Sequence, residues 1–361
     1  MNSLPVAPPV TEYLYRKAAG AGVPLSGTFE LTPFCNMDCK MCYVRLDKKA
    51  VSHPLADAEM WLSLAQKAKD LGMLYLLVTG GEPFSHPQIR EILEGLHKMG
   101  LLVCVNSNGT LIDEKTTRWL KNCPPLRVNI SIYGASNETY SRLCGNKKGF
   151  TQVCNAISLL TEAGISVKLN CSLTPENAGD LQSIVAFAKG KNLPLQVATY
   201  MFPPIRKNGE MVGKNQRFTP QEAAKYMFLS EKLLTGEGGL NTVPTTPDWD
   251  ESCAGLGDES RCRAGKCSFW ITWKGEMTPC GMFPTDDSGN VFENDFLGVW
   301  EQTKKQVASI RLPALCAGCQ AKNVCRACAA MVITESGNFS EAPKYRCQMM
   351  RNYFEICKGE K

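Results

Sequence analysis

Short apolar segments alternate with helical segments from Gly27 to Tyr200, and this alternation constrains the fold more than any other feature. It is typical of βαβ units, which place parallel strands in one sheet covered by helices. Ligands of such sheets bind at the edge formed by the C-terminal ends of the strands. The six predicted strands are Gly27–Leu31, Met73–Val78, Leu101–Val105, Leu126–Ile132, Ser166–Ser172 and Leu195–Tyr200.

The 18 cysteines are concentrated in two regions. Cys35, Cys39 and Cys42 occupy one loop directly after the first predicted strand. Three thiolates are one fewer than a closed tetrahedral site uses, and reactive metal sites keep one position open. We therefore predict a reactive centre in this loop. Eight further cysteines, enough for two closed sites, lie near the C-terminus: Cys262, Cys267, Cys280, Cys316, Cys319, Cys325, Cys328 and Cys347.

Composition and charge narrow the class of protein. The chain has 361 residues, is 44% hydrophobic and carries a net charge of +5 without a long basic run, which argues against nucleic acid as a partner. We find no secretory signal and no apolar run long enough to span a membrane, so we expect a cytoplasmic protein without a membrane partner. In a reducing cytosol, closely spaced cysteines bind metals rather than form disulfides. Only three histidines are present, which favours thiolate-rich sites.

The cysteine loop and the segment Thr79-Gly80-Gly81-Glu82-Pro83, which follows the next strand, together resemble the radical S-adenosylmethionine superfamily. The resemblance covers about residues 27–202 and implies an α/β fold, a partial (β/α)6 barrel. It implies that Cys35, Cys39 and Cys42 bind three irons of a 4Fe-4S cluster, and that the fourth iron binds S-adenosylmethionine. Reductive cleavage of this cofactor would give a 5′-deoxyadenosyl radical that abstracts hydrogen from a substrate.

The same resemblance implies further contacts with S-adenosylmethionine. Gly80 and Gly81 would let the backbone approach its amine, although a plain strand-to-helix turn is the alternative. Met41 stands where relatives often carry an aromatic residue. For Ser131, Arg142, Lys168 and Met201 in the list below, a packing or surface role is as open an interpretation as a contact with the cofactor. The other implied contacts are Glu82, Ser107, Ser131, Arg142, Lys168 and Met201.

The cysteine-rich tail, about residues 253–357, resembles the SPASM extension of the superfamily. The resemblance implies two auxiliary 4Fe-4S clusters, and thus three clusters in all, although only two residues separate Cys325 from Cys328 where the usual tail has three. Two zinc sites are the alternative for the tail, and a Cys3His zinc site with His53 is the alternative for the loop. The implied ligands are Cys262, Cys267, Cys280 and Cys328 for the first auxiliary cluster, and Cys316, Cys319, Cys325 and Cys347 for the second.

The other cysteines have less defined roles. Cys253 and Cys357 flank the tail, and each is predicted to be a spare ligand, a thiol that returns a hydrogen atom during an epimerisation, or an unreactive thiol. The remaining five lie on predicted strands or helices and are predicted to be buried packing residues. They are Cys104, Cys123, Cys144, Cys154 and Cys171.

We divide the chain into an N-terminal arm with one helical turn (1–25), a barrel (26–235), and a linker with the small auxiliary-cluster domain (236–361). The resemblance implies an enzyme that modifies a peptide by thioether or carbon–carbon crosslinking, oxidation or epimerisation. Its expected partners are a peptide substrate and a reductant such as flavodoxin or ferredoxin. The segment before Cys35 is too short for a peptide-recognition domain, so any leader-recognition protein would be a separate chain.

Two alternatives remain at this point. One is a radical enzyme of the same superfamily that acts on a small molecule or a tetrapyrrole. The other is a non-enzymatic iron–sulfur or zinc protein. A basic groove near Arg206, Lys207 and Arg217 would favour a peptide substrate, whereas a deep apolar cavity would favour a small molecule.

Overall fold

The computed structural model describes residues 9–46, 51, 54–204, 216–236, 262–317, 319, 321–325 and 327–359. Within these residues, nine strands form one sheet in the order β6-β5-β4-β3-β2-β1-β7-β8-β9. The strands are β1 (Ser26–Glu30), β2 (Tyr75–Thr79), β3 (Leu102–Ser107), β4 (Arg127–Ser131), β5 (Val167–Ser172), β6 (Leu195–Ala198), β7 (Ser268–Ile271), β8 (Glu276–Thr278) and β9 (Gly289–Asn290). Strands β1 to β6 are all parallel, and the sheet does not close on itself. The predicted α/β partial barrel is confirmed.

The described residues also form thirteen helices, several of which pack on one face of the sheet and supply the other half of its core. They are α1 (Pro9–Ala21), α2 (Ala58–Asp70), α3 (Ile89–Lys98), α4 (Glu114–Leu120), α5 (Asn137–Cys144), α6 (Gly149–Glu162), α7 (Leu181–Gly190), α8 (Pro220–Thr235), α9 (Phe296–Ser309), α10 (Ala314–Ala317), α11 (Lys322–Cys325), α12 (Ala329–Ser336) and α13 (Lys344–Gly359). Helix α2 shows the pattern: Asp57 caps its first turn, and its buried Trp61 lies 5.0 Å from the ring of Phe29 in β1. The N-terminal arm is a 13-residue helix, longer than the single turn predicted.

The strands alternate between this buried face and a more polar, concave face. In β4, Val128 and Ile130 are fully buried in the core, whereas Arg127 and Ser131 are only partly buried. In β5, Leu169 is buried in the same core. Because successive side chains of a strand point to opposite faces, the polar residues of these strands lie on the concave side.

The tail extends the barrel sheet rather than forming a separate layer. Strand β7 pairs in parallel with β1, with Ser26 opposite Ser268, and β8 and β9 continue the sheet antiparallel. Trp270 donates a hydrogen bond from its indole Nε1 to Glu30 Oε2 at 3.1 Å, across the β1–β7 pair. The predicted boundary at residue 235 is therefore crossed by a continuous sheet.

Helix α13 returns the end of the tail to the barrel. It packs along α8, where Tyr353 donates a hydrogen bond to Glu231 Oε2 at 2.5 Å. None of the helices described is long and apolar enough to span a bilayer.

Candidate active site

The Cys35–Cys42 loop leaves β1 at the C-terminal edge of the sheet, where it was predicted to lie. The C-terminal end of helix α5 holds its middle: Asp38 N donates to the carbonyl of Cys144 at 2.9 Å, and Lys40 N donates to that of Leu143 at 3.0 Å. Because these carbonyls belong to the last turn of α5, they lack helical partners of their own. The end of α5 therefore holds the middle of the loop through backbone hydrogen bonds.

The Gly80–Gly81 segment packs directly against the start of the same loop. Gly81 N donates to the carbonyl of Thr32 at 2.6 Å, and Glu82 N donates to that of Phe34 at 2.8 Å. A Cβ atom on Gly81 would overlap the Phe34 carbonyl, and one on Gly80 would lie 2.6 Å from Thr32 O. The two glycines thus permit the close approach of two loops. Their predicted approach to the cofactor amine stays a prediction.

Glu82 is a fully buried connection between the β2 and β3 loops. Its Oε1 accepts hydrogen bonds from Ser107 Oγ at 2.9 Å and from Phe84 N at 3.1 Å, and its Oε2 accepts one from Asn108 N at 2.7 Å. Burial raises the pKa of the Glu82 carboxyl to about 7, and the three donors partly offset this effect. Glu82 and Ser107, both predicted to contact the cofactor, are placed in contact with each other.

Asn108 is a site residue that the sequence reasoning missed. Its Nδ2 lies 2.9 Å from Asn36 Oδ1 and 3.5 Å from Cys35 Sγ, and its Oδ1 accepts hydrogen bonds from the backbone and hydroxyl of Thr110. Amide donors to cluster sulfurs are a recognised way of tuning reduction potential. The only sequence signal was its position in the turn after β3, which was read for Ser107 alone.

The three loop cysteines have the chemistry of cluster ligands. Burial raises the pKa of Cys35 to about 12, and the charges of Glu82, Cys39 and Cys42 add to this effect. A hydrogen bond with Cys144, followed by burial, raises the pKa of Cys39. Cationic iron favours thiolates, so these residues fit a cluster that supplies the compensating charge. Among the described residues, no three His, Cys, Asp or Glu side chains converge closely enough to hold a single metal ion.

An ion-pair triad lies at the rim beside the loop. Glu176 accepts hydrogen bonds from Lys40 Nζ at 2.9 Å and from Arg142 Nε at 3.0 Å. Hydrogen bonding to Lys40 is the main cause of the lowered pKa of Glu176. A cavity of about 380 Å³ opens between Arg142, Glu176, Pro175 and Gln216. Arg142, which was predicted to bind the cofactor carboxylate, is thus already paired with a protein carboxylate.

The other predicted cofactor contacts are Met41 in the cysteine loop, Met201 after β6, and Ser131 and Lys168 on the sheet. Met41 is buried in the main core, and Met201 packs partly buried against it. Ser131 ends β4 and forms a hydrogen bond with Tyr133. Lys168 lies lower, since it pairs in register with Asn129 while Asn170 pairs with Ser131. Lys168 is therefore farther from the rim than Ser131.

The structure brings together all four predicted ligands of the second auxiliary cluster, but only three of the four predicted for the first. Burial raises the pKa of Cys316, and the nearby thiolates of Cys347, Cys325 and Cys319 raise it further, so these four thiols are neighbours. They are the four predicted for the second auxiliary cluster, and thiolate donors of this kind fit an iron–sulfur cluster.

Of the other predicted set, Cys262 lies near enough to raise the pKa of Cys328, and Cys280 packs with Cys328 in one small core. Cys267 is fully buried in a different cluster, with Ala18 and Leu25. For this set, the structure brings three of the four predicted ligands to one region.

Of the two cysteines that flank the tail, only Cys357 lies within the described residues. Cys357 is buried in α13 and forms a hydrogen bond with Tyr353, in the packing against α8. Cys253 lies outside the described residues, as do His53, Arg206 and Lys207. The proposed chemical role of either thiol stays a prediction.

Two regions of the chain match known protein families. Residues 29–188 match the family model of the Radical SAM superfamily, and residues 262–329 match that of SPASM, an iron–sulfur cluster-binding domain. The chain is 29% identical over 280 residues to the antilisterial bacteriocin subtilosin biosynthesis protein AlbA of Bacillus subtilis. This alignment covers 77% of the chain but only 60% of AlbA.

Two further alignments cover a larger share of the matched protein than the alignment with AlbA does. An AdoMet-dependent heme synthase of Methanosarcina barkeri is 23% identical over 337 residues, covering 88% of this chain and 94% of the synthase. The crystal structure of Streptococcus suis SuiB bound to precursor peptide SuiA aligns with a TM-score of 0.65 at 18% identity, covering 93% of this chain and 78% of SuiB. That likeness shows a shared fold. The chain therefore contains a Radical SAM superfamily domain over residues 29–188 and a SPASM iron–sulfur cluster-binding domain over residues 262–329.

Proposed function

We propose that the protein modifies a residue within a peptide by hydrogen abstraction. The observation that carries the reaction class is the three-cysteine loop, held at the rim by Glu82, Asn108 and the end of α5. When bound there, a 4Fe-4S cluster and S-adenosylmethionine supply a 5′-deoxyadenosyl radical. Cys35, Cys39 and Cys42 would hold this cluster, and the SPASM thiols would hold two more.

The chain's own residues position and shield this site. Asn108 directs an amide donor toward Cys35, and Gly80 and Gly81 bring the β2 loop against the cysteine loop. The Lys40–Glu176–Arg142 triad fixes the charged rim next to the 380 Å³ cavity. An electron must reach the cluster from outside, and we propose a reductant such as flavodoxin or ferredoxin in the cytoplasm.

The proteins to which this chain is similar favour a peptide substrate. AlbA is a bacteriocin biosynthesis protein, and SuiB shares the fold and is bound to a precursor peptide. The sheet is also open, with β6 at one edge of the described strands, so an extended chain can reach the concave face from the side. We propose crosslinking, oxidation or epimerisation as the outcome.

The test is co-expression with candidate precursor peptides, followed by mass measurement of each peptide. A loss of two hydrogens indicates crosslinking or oxidation. An unchanged mass with one deuterium gained in heavy water indicates epimerisation. If the enzyme cleaves S-adenosylmethionine but no peptide shows either change, the proposal of a peptide substrate is contradicted.

A second candidate is a tetrapyrrole substrate, because the heme synthase matches nearly along its whole length. Incubation with an iron porphyrin that carries propionate groups, followed by chromatography of the pigment, distinguishes the two. Loss of carboxyl groups from the pigment supports this candidate, whereas an unchanged pigment contradicts it.

A further inference from the structure

The concave face of the barrel carries a row of polar side chains that none of the predicted cluster roles uses. The row crosses β3 to β6, and side-chain hydrogen bonds link β3 to β4 and β5 to β6. Arg127 Nε donates to Asn129 Oδ1 at 2.9 Å, Asn129 Nδ2 donates to Asn106 Oδ1 at 2.8 Å, and Lys168 Nζ donates to Gln196 Oε1 at 2.5 Å. The first bond lies within β4 and the other two join neighbouring strands, and together they hold the two cations in place on the sheet.

Arg127 and Lys168 are neighbours of like charge. Asn129 pairs in register with Lys168, and Arg127 lies two residues before Asn129 on the same face. Both side chains are partly buried. Burial, and next the nearby charge of Arg127, lowers the pKa of Lys168.

Neither cation has a carboxylate partner within ion-pair distance in the described part of the chain, whereas the partly buried Arg45 and Arg217 are paired with Asp38 and Glu335. Among the described residues, their side-chain hydrogen-bond partners are the neutral amides of Asn129 and Gln196. Two partly desolvated like charges without a counter-ion are unfavourable, and an anionic ligand would relieve the repulsion. A guanidinium with free N–H groups beside an ammonium suits a carboxylate.

A second polar group on this face calls for a donor. Asn170 Oδ1 is buried and has no hydrogen-bond partner. Asn170 lies two residues beyond Lys168 on β5, about 7 Å closer to the rim. A ligand that carries a carboxylate and, one side chain away, an amide N–H would satisfy both groups. An acidic residue within a peptide has this arrangement.

We propose that Arg127 and Lys168 bind the side-chain carboxylate of an acidic residue in the peptide substrate, and that Asn170 accepts a hydrogen bond from a neighbouring peptide N–H. This inference rests on the proposed peptide-modifying function. It gives Lys168 a role toward substrate in place of the predicted contact with S-adenosylmethionine. Since Lys168 lies four residues, about 13 Å, below the end of β5, the acidic residue would anchor the peptide beneath the reacting position.

The test measures binding by the holoenzyme, without reductant, of two dye-labelled heptapeptide mixtures that are random except for a central Glu or Gln. We expect the Glu mixture to bind about tenfold more tightly, and Arg127→Met or Lys168→Met to abolish this preference. Lys98→Met, at an exposed position on α3, is the control and should retain the preference. Equal binding of both mixtures by the wild type overturns the proposal, as does weaker S-adenosylmethionine binding by Lys168→Met with the Glu preference intact.

A second measurement does not depend on a variant that folds. Reductive methylation of Lys168 in the wild type, followed by mass spectrometry, should be slowed by the Glu mixture and not by the Gln mixture. Protection by an iron porphyrin with propionates but not by the Glu mixture would overturn the peptide as the source of the carboxylate. Because no radical is generated in either measurement, failure of the proposed reaction leaves these results unaffected. Conversely, S-adenosylmethionine cleavage with no Glu preference removes only this inference.

Discussion

The ion pair between Arg217 and Glu335 joins the barrel to the tail, and we expect its loss to destabilise the protein strongly. Arg217 precedes α8, and Glu335 lies in α12, the helix that follows Cys328. Arg217 Nη1 lies 2.6 Å from Glu335 Oε1, which also accepts a hydrogen bond from Tyr200 at 2.7 Å. The Glu335 side chain is only 6% exposed, so its charge depends on these partners.

Replacing Arg217 with Met removes the guanidinium but retains the apolar stem. Removing one partner of a buried pair costs about 3–5 kcal/mol. Arg217 is 23% exposed and Tyr200 remains as a donor, so we expect the lower end, about 3 kcal/mol. The guanidinium also lies 4.0 Å from the ring centre of Tyr345, which adds about 1 kcal/mol.

A double-mutant cycle separates the pair from its surroundings. The free energy of unfolding is measured anaerobically in urea, by circular dichroism and tryptophan fluorescence, for the wild type, Arg217→Met, Glu335→Met and the double variant. We expect the double variant to recover most of the loss, with a coupling energy of about 2–3 kcal/mol. Arg90→Met, which breaks the exposed pair with Glu94, is the control and should change stability little. Strictly additive single effects would refute the reasoning.

Three further predictions follow from other parts of the structure. Gly81→Ala should push the β2 loop away from the Phe34 carbonyl and lower the iron content of the purified protein. The control is Gly20→Ala, which should keep its iron because no atom lies within 4 Å of the added Cβ. Equal iron content in the two variants would contradict this prediction. Asn108→Ala should lower the reduction potential of the radical cluster, as followed by electron paramagnetic resonance during a redox titration, and an unchanged potential would mean that the contact to Cys35 is not made in the holoenzyme. Burial raises the pKa of Glu231, so its favourable contribution is present below its ordinary value near 4.5 and is lost as the pH rises through the raised value. Glu231→Gln should therefore destabilise less at pH 8 than at pH 5.5 in urea unfolding, and an equal effect at both pH values would contradict the raised pKa.

The six parallel strands could be predicted because each is a short apolar run bounded by polar loops. The predicted Leu195–Tyr200 strand ends two residues early, at Ala198, and the others shift by similar amounts. Helix α5 was missed because its exposed face is polar and its apolar stripe is short. The β1–β7 pairing joins segments about 240 residues apart, and local periodicity carries no information about such contacts.

The candidate site, like the fold, has features that could be predicted from the sequence and others that could not. The spacing of Cys35, Cys39 and Cys42 and the glycines after β2 were sufficient to predict the rim and the family. The partners of individual side chains were not predictable, because they depend on how loops meet. Glu82 binds donors of the β3 loop, and Arg142 binds Glu176, contacts that only the folded chain brings about. Cys144 likewise looked like packing, yet it contacts Cys39.

The central claim is that the Cys35–Cys42 loop holds a cluster that cleaves S-adenosylmethionine. The most direct measurement is 5′-deoxyadenosine released by the anaerobically reconstituted protein with dithionite, together with its iron content. We predict release by the wild type with about twelve irons per chain, and no release with about eight irons in Cys39→Ala. No release by the wild type, or release that persists in Cys39→Ala, would contradict the claim.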